Sequence, residues 1–323
     1  MINSLTLGNK QFPINLIQAP LAGVSCAPFR ALTTEYGHPA FTCTEMISCK
    51  TILHQPEFAH TRYTAKSTAE GPVCYQLSAN NPQELAAAVK IVTDAGADLI
   101  DLNCGCPVKK IRSKGAGSSL LMQPKKLYEL ITAMKQNTSL PVSIKIRVEG
   151  NSDEKFHDEI ATVVSDAGAD FITVHGRHWT EHYETPCCYE HIQYFVQVLK
   201  IPVIGNGDVR DIVSLKKMLA TGCAGAMIGR AGVGQPWLIA KLVADMQGKP
   251  FTLPSQQEIG AIFLCHVEQL CGLLQNEKQA ILQARKLAKY YARTMPDREQ
   301  WMLAMNQCLS LRHLQQLVSA FFK

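Results

Sequence analysis

Eight short apolar runs alternating with helical segments predict an α/β fold: a TIM (β/α)8 barrel followed by a small C-terminal helical domain. The runs, at residues 16–19, 41–44, 73–77, 99–103, 142–147, 171–175, 203–206 and 226–228, recur at about the spacing of one βα unit each. Two helices end in matching phrases, Asp94-Ala95-Gly96-Ala97-Asp98 and Asp166-Ala167-Gly168-Ala169-Asp170, each with Gly at the C-cap just before a strand. Beyond residue 256 the strand signals stop and only helical periodicity remains.

The intervening segments carry helix signals of their own. Asn81-Pro82-Gln83-Glu84 opens a helix with Pro near its first position, and an apolar face continues through Leu85, Ala88, Val89 and Val92. Thr221-Gly222-Cys223-Ala224-Gly225 ends the helix before the eighth strand. Residues 247–256 read as a linker, which divides the chain into a barrel domain at 1–246 and a helical domain at 257–323. Within the latter, 258–274, 279–294 and 301–322 are periodic, and Met295-Pro296-Asp297 separates the last two.

Composition narrows the class. With 18% charged and 46% hydrophobic residues, the 323-residue chain reads as globular and large enough for a sizeable core. Residues 1–12 lack a cationic segment followed by an apolar one, and no run approaches a membrane span, so we expect a cytoplasmic protein without membrane contact. The twelve Cys have no framework or zinc-ligand spacing and read as reduced thiols, with no metal expected. The net charge of +5 permits a nucleic-acid partner, and nine Lys or Arg against five Asp or Glu from residue 246 onward place most of the surplus in the tail.

In such a barrel, ligands bind at the C-terminal ends of the strands. There the sequence places Gln18-Ala19-Pro20-Leu21-Ala22-Gly23, Gln76, Asn103 with Cys106, Lys145 with Arg147, His175-Gly176-Arg177, Gly205-Asn206-Gly207-Asp208 and Gly229-Arg230. The Gly-rich turns of strands 7 and 8, with Arg230, suit a phosphate, although every barrel needs tight turns there. Lys145 on an inner strand requires a partner, either the electron-rich edge of a flavin or the carboxylate of Asp101 or Glu45. His175 is a site residue or a satisfied core histidine. Cys106 ends a strand under a loop carrying Lys109, Lys110, Arg112 and Lys114; it is a reactive thiol above an anionic polymer's path, or a structural Cys beside a solvated charge run.

Taken together, Ala19 to Val24 with Pro28-Phe29-Arg30, Thr44 to Ser48, Asp101 to Leu121, Lys145-Ile146-Arg147, His175-Gly176-Arg177, Gly205 to Asp208 and Met227 to Arg230 with Pro236-Trp237 resemble the tRNA-dihydrouridine synthases, with wording nearest the bacterial B-type. The resemblance implies an FMN enzyme that reduces uridine to 5,6-dihydrouridine in the D-loop of tRNA with NADPH (or NADH) as hydride source. It implies that Pro20, Leu21 and Ala22 flank the flavin ring, that Gln76, Lys145 and His175 meet it, and that Asn206, Gly207, Asp208, Gly229 and Arg230 hold its phosphate. Cys106 would be the general acid, with Asn103, Arg147 and Tyr183 at the uracil. Three departures stand out: Leu21 for Met, Ser25-Cys26 for Thr-Asp, and His178 for Thr. Arg285, Lys289 and Arg293 form a cationic stripe in the tail, expected to contact tRNA phosphates, and the chain is expected to act as a monomer. A barrel reductase of free pyrimidines or small enones, and a non-catalytic tRNA-binding protein, are the alternatives.

Overall fold

The structure, a computed structural model, describes residues 1–148 and 154–323, apart from the side chains of residues 58–61 and 154. All eight expected barrel strands form. After an N-terminal hairpin, β1 (Leu5–Leu7) and β2 (Lys10–Phe12), come β3 (Leu16–Gln18), β4 (Thr42–Cys43), β5 (Ile47–Ser48), β6 (Val73–Ser78), β7 (Leu99–Cys104), β8 (Val142–Val148), β9 (Phe171–His178), β10 (Val203–Asn206) and β11 (Gly225–Ile228). β3 to β11 pair in parallel, and the barrel closes where β11 meets β3. Helices follow the strands on the outside, as the spacing predicts.

β4 and β5 are one strand interrupted. Cys43 pairs with Cys74 and Ile47 with Leu77, so four steps on one strand face three on β6. The extra residue is a bulge, and it turns Glu45 sideways. A second bulge lies where Arg147↔His175 is followed by Val148↔His178, two residues too many on β9. Both sit at the C-terminal rim.

Side chains alternate across the barrel wall. Ile100, Leu102, Cys104, Ile144, Ile146, Ile172 and Val174 face outward into the layer shared with the helices. Asp101, Asn103, Ser143, Lys145 and His175 occupy the intervening, inward positions. The hairpin plugs the opposite end: Leu5, Leu7 and Phe12 pack with Phe41, Leu99, Phe171 and Ile204.

Four helices rather than three make up the tail: Gln256–Leu274, Glu277–Tyr291, Arg298–Gln307 and Leu311–Phe321. The expected third helix breaks because Ser310 accepts the His313 N–H and starts a new one. The tail core, centred on Trp301, Phe263 and Tyr291, continues into Cys26, Phe29, Leu32, Val233 and Trp237 of the barrel. Gly234 fixes this docking. It has φ +71°, and a Cβ there would stand 2.4 Å from the Tyr290 carbonyl carbon, so only glycine lets the tail approach so closely.

Candidate active site

The strand ends open into a cavity of about 650 Å³. Ala19, Pro20 and Leu21 line one side, Lys145, His175 and Arg177 the floor, and residues 206–210 and 229–231 the far wall. The tail closes it with Lys289, Tyr290, Arg293 and Arg298. Seven cationic side chains thus face one carboxylate, Asp208, so the cavity is built for an anion.

Gln76, Asn103, Arg147 and Cys106 stand on the neighbouring strands. Ser143 donates to Asp101 (2.6 Å), Gln76 donates to the other Asp101 oxygen (2.8 Å), and Asn103 donates to Gln76 Oε1 (2.8 Å). Asn103 Oδ1 in turn accepts the Cys106 N–H at 3.0 Å. Each amide nitrogen keeps one uncommitted N–H. This chain runs without a break from the buried carboxylate to the thiol's backbone.

Cys106 is half-buried, while Cys104 is wholly buried and points outward into the helix layer. The backbone of Cys106 is held from both sides, because its carbonyl also accepts the Ser118 N–H at 3.1 Å. Gly117, with φ +63°, lies so close that a Cβ would come 2.8 Å from that carbonyl oxygen. Arg147 is near enough to feel the charge of the thiol, and its Nη1 donates to the His178 carbonyl at 2.9 Å.

Electrostatics distinguish the inner groups. Burial pushes Asp101 up to about 6, against the hydrogen bonds from Ser143 and Gln76. Burial also brings Lys145 down to about 8, against the attraction of Asp101. Neither expected salt bridge to Lys145 forms: Asp101 is spent on Ser143 and Gln76, and Glu45 on Arg62 (2.9 Å) and the Gly23 N–H. A lysine depressed in this way contributes stability that is complete above 10.5 and lost as pH falls through about 8. The ligand-free protein should therefore gain thermal stability between those pH values, and Lys145→Met should flatten the rise in melting temperature.

His175 is held far below its usual pKa by burial and by Lys145, Arg147, Arg177 and Arg230 around it. Its ring is neutral, and Nε2 faces Arg177 Nη1 at 3.2 Å. A guanidinium only donates, so the ring proton sits on Nδ1. Arg177 also pairs with Asp208, whose carboxylate accepts the Cys187 N–H at 2.9 Å. Asp208 is therefore occupied in holding the wall together. Arg230 remains 46% exposed, 3.9 Å from Asp208 and stacked 3.6 Å from the ring centre of Tyr183.

Residues 17–323 match the dihydrouridine synthase (Dus) family. This chain belongs to the dihydrouridine synthase family. It is 31% identical to tRNA-dihydrouridine synthase B of Proteus vulgaris over 99% of this chain and 98% of that one. It is 34% identical to the enzyme of the same name from Vibrio parahaemolyticus over 82% and 83% of the two chains. With that of Escherichia coli it shares 29% over 99% of each.

In this dihydrouridine synthase the departures have visible consequences. Ser25 accepts the Leu21 N–H at 2.9 Å and so staples the shelf at residues 20–23. Cys26 is the N-cap of the helix Ala27–Gly37 but makes no side-chain cap bond. His178 leans its ring on Trp179, 5.3 Å between centres.

The tail stripe divides. The helix ends at Tyr291, so Arg293 lies beyond it, bonded to the carbonyls of Val233 and Tyr290. Lys289 and Arg293 face the cavity, whereas Arg285 spends Nε and Nη2 on the Cys308 carbonyl at 3.2 and 2.6 Å. A link absent from the sequence reading joins tail to shelf: Arg62 reaches Gln283 at 3.0 Å while pairing with Glu45. Among the described residues no cluster suits a metal ion, and no helix is long and apolar enough to cross a membrane.

Proposed function

We propose that this protein reduces uridine to 5,6-dihydrouridine in the D-loop of tRNA, with FMN in the barrel mouth and NADPH as hydride source. The observation that carries the reading is one rim that combines a half-buried, backbone-fixed thiol with an anion-seeking cavity and a lysine that has no carboxylate partner. The residues suit a flavin nucleotide. Gly229 and Arg230 offer an open corner with a free guanidinium face for its phosphate, beside Asn206, Gly207 and Asp208. Lys145 and the spare Gln76 N–H would meet the ring's polar edge, with Pro20, Leu21 and Ala22 beside it. When bound, the flavin supplies hydride to C6 of the uracil.

The protein's own groups do the rest. Hydride arrival at C6 builds enolate charge toward O4, which the free N–H of Asn103 and the guanidinium of Arg147 are placed to stabilise. Cys106 gives its proton to C5. A base can reach this depth only by leaving its stack, so the uridine must be extruded, with Tyr183 at the entrance. The enzyme would work as a monomer in the cytoplasm, with residues 257–323 as its tRNA-binding domain.

A yellow purified protein whose colour bleaches with NADPH is the expected result; a colourless protein that takes up no flavin on reconstitution would overturn the reading. Lys289→Ala with Arg293→Ala should weaken tRNA binding and flatten its salt dependence by about two units of slope, one per lost phosphate contact. Arg285→Ala should instead lower stability by about 1–2 kcal/mol, through loss of the Cys308 cap, and leave that slope unchanged. Filter-binding titrations across a salt series, alongside thermal melts, separate the two effects.

A further inference from the structure

The basic loop that follows Cys106 is not uniformly solvated. Lys109, Lys110 and Lys114 are exposed, but Arg112 is half-buried and stacks its guanidinium 3.2 Å above the ring centre of Trp179. The Arg112 Nε is buried and has no hydrogen-bond partner among the described residues, so the ring face is what holds this group. Trp179 stands on a segment that is itself immobilised. Arg147 donates to the His178 carbonyl, Arg177 donates to the carbonyls of Tyr183 and Thr185, and Cys187 donates to Asp208. Each of those anchors belongs to the barrel rim or the cavity.

We propose that Trp179 is a positioning residue: by clamping Arg112 it holds the loop of Cys106 over the cavity, in register with Arg147. The inference rests on Cys106 being the proton donor. The clamp joins the one element of the site that is a long loop to a platform fixed by the same arginines that face the substrate. Without it, the loop would be held at its ends, by Asn103 and Ser118 next to the thiol and by Asn80 on the Lys114 carbonyl, while the cationic turn Lys109–Arg112 between them would be released.

The test uses the flavin-loaded enzyme and the variants Trp179→Ala, Trp179→Phe and Cys106→Ala. Trp179→Ala should be reduced by NADPH at the wild-type rate, but its maximal rate of reoxidation on tRNA should fall roughly ten-fold, the scale of a desolvated cation–π contact. The tRNA concentration giving half that rate should not change. Trp179→Phe, which keeps a ring face, should recover most of the loss. Limited trypsin digestion supplies a readout independent of activity: cleavage at Lys109–Lys114 should be several-fold faster in Trp179→Ala and near wild type in Trp179→Phe. Wild-type reoxidation by Trp179→Ala, with or without faster cleavage, overturns the clamp. A rise in half-saturating tRNA at unchanged maximal rate also overturns it, and would make Trp179 a contact of the RNA. Wild-type reoxidation by Cys106→Ala would instead refute the proton-donor reading on which the clamp depends.

Discussion

Cys106→Ala is expected to be reduced by NADPH at the normal rate and then to remain reduced when tRNA is added. Removing a positioned general acid costs roughly 10²–10⁴-fold, so turnover on tRNA should fall to a trace. Thermal stability should change little, because the Cys106 side chain is half-buried and the turn is held by its backbone. Cys104→Ala is the control. That thiol lies in the helix layer, so its loss should cost some stability and leave reoxidation on tRNA intact. Stopped-flow absorbance of the flavin reads both half-reactions, and a Cys104 variant inactive on tRNA beside an active Cys106 variant would reverse the assignment.

Arg230→Ala should release the cofactor. A charge-assisted hydrogen bond is worth about 1.5–3 kcal/mol, so flavin affinity should weaken roughly ten- to hundred-fold. The other cations of that wall do not replace it: Arg177 is committed to Asp208, and Arg293 to backbone carbonyls. Equilibrium dialysis against FMN checks this. Loss of the same size for riboflavin, which has no phosphate, would mean that Arg230 holds the ring instead.

The strands were legible because each is a short apolar run between glycine-marked turns, and a barrel needs no long-range information beyond their number and spacing. The hairpin was not: its two strands have three residues each, and its burial depends on Phe41 and Phe171, far along the chain. The site residues at strand ends were visible for the same local reason as the strands. What escaped were their partners. Arg177 appears in the phrase after His175, but its pairing with Asp208 spans 31 residues and follows from a bulge in β9. Likewise Glu45 meets Arg62 only because β4 and β5 are separated by an extra residue. Helical periodicity aligned Arg285 with Lys289 and Arg293. It could neither show the helix stopping at Tyr291 nor bring the Cys308 carbonyl beneath Arg285.

An anaerobic single turnover tests the proposed reaction most directly. The protein is reduced with one equivalent of NADPH and then mixed with tRNA lacking dihydrouridine, or with free uracil. On tRNA the oxidised flavin spectrum should return, with one dihydrouridine formed per flavin; on uracil the protein should stay reduced. A spectrum that persists in the reduced form with tRNA but is discharged by free uracil or a small enone would contradict a tRNA reductase and point to a small-molecule enzyme on the same barrel.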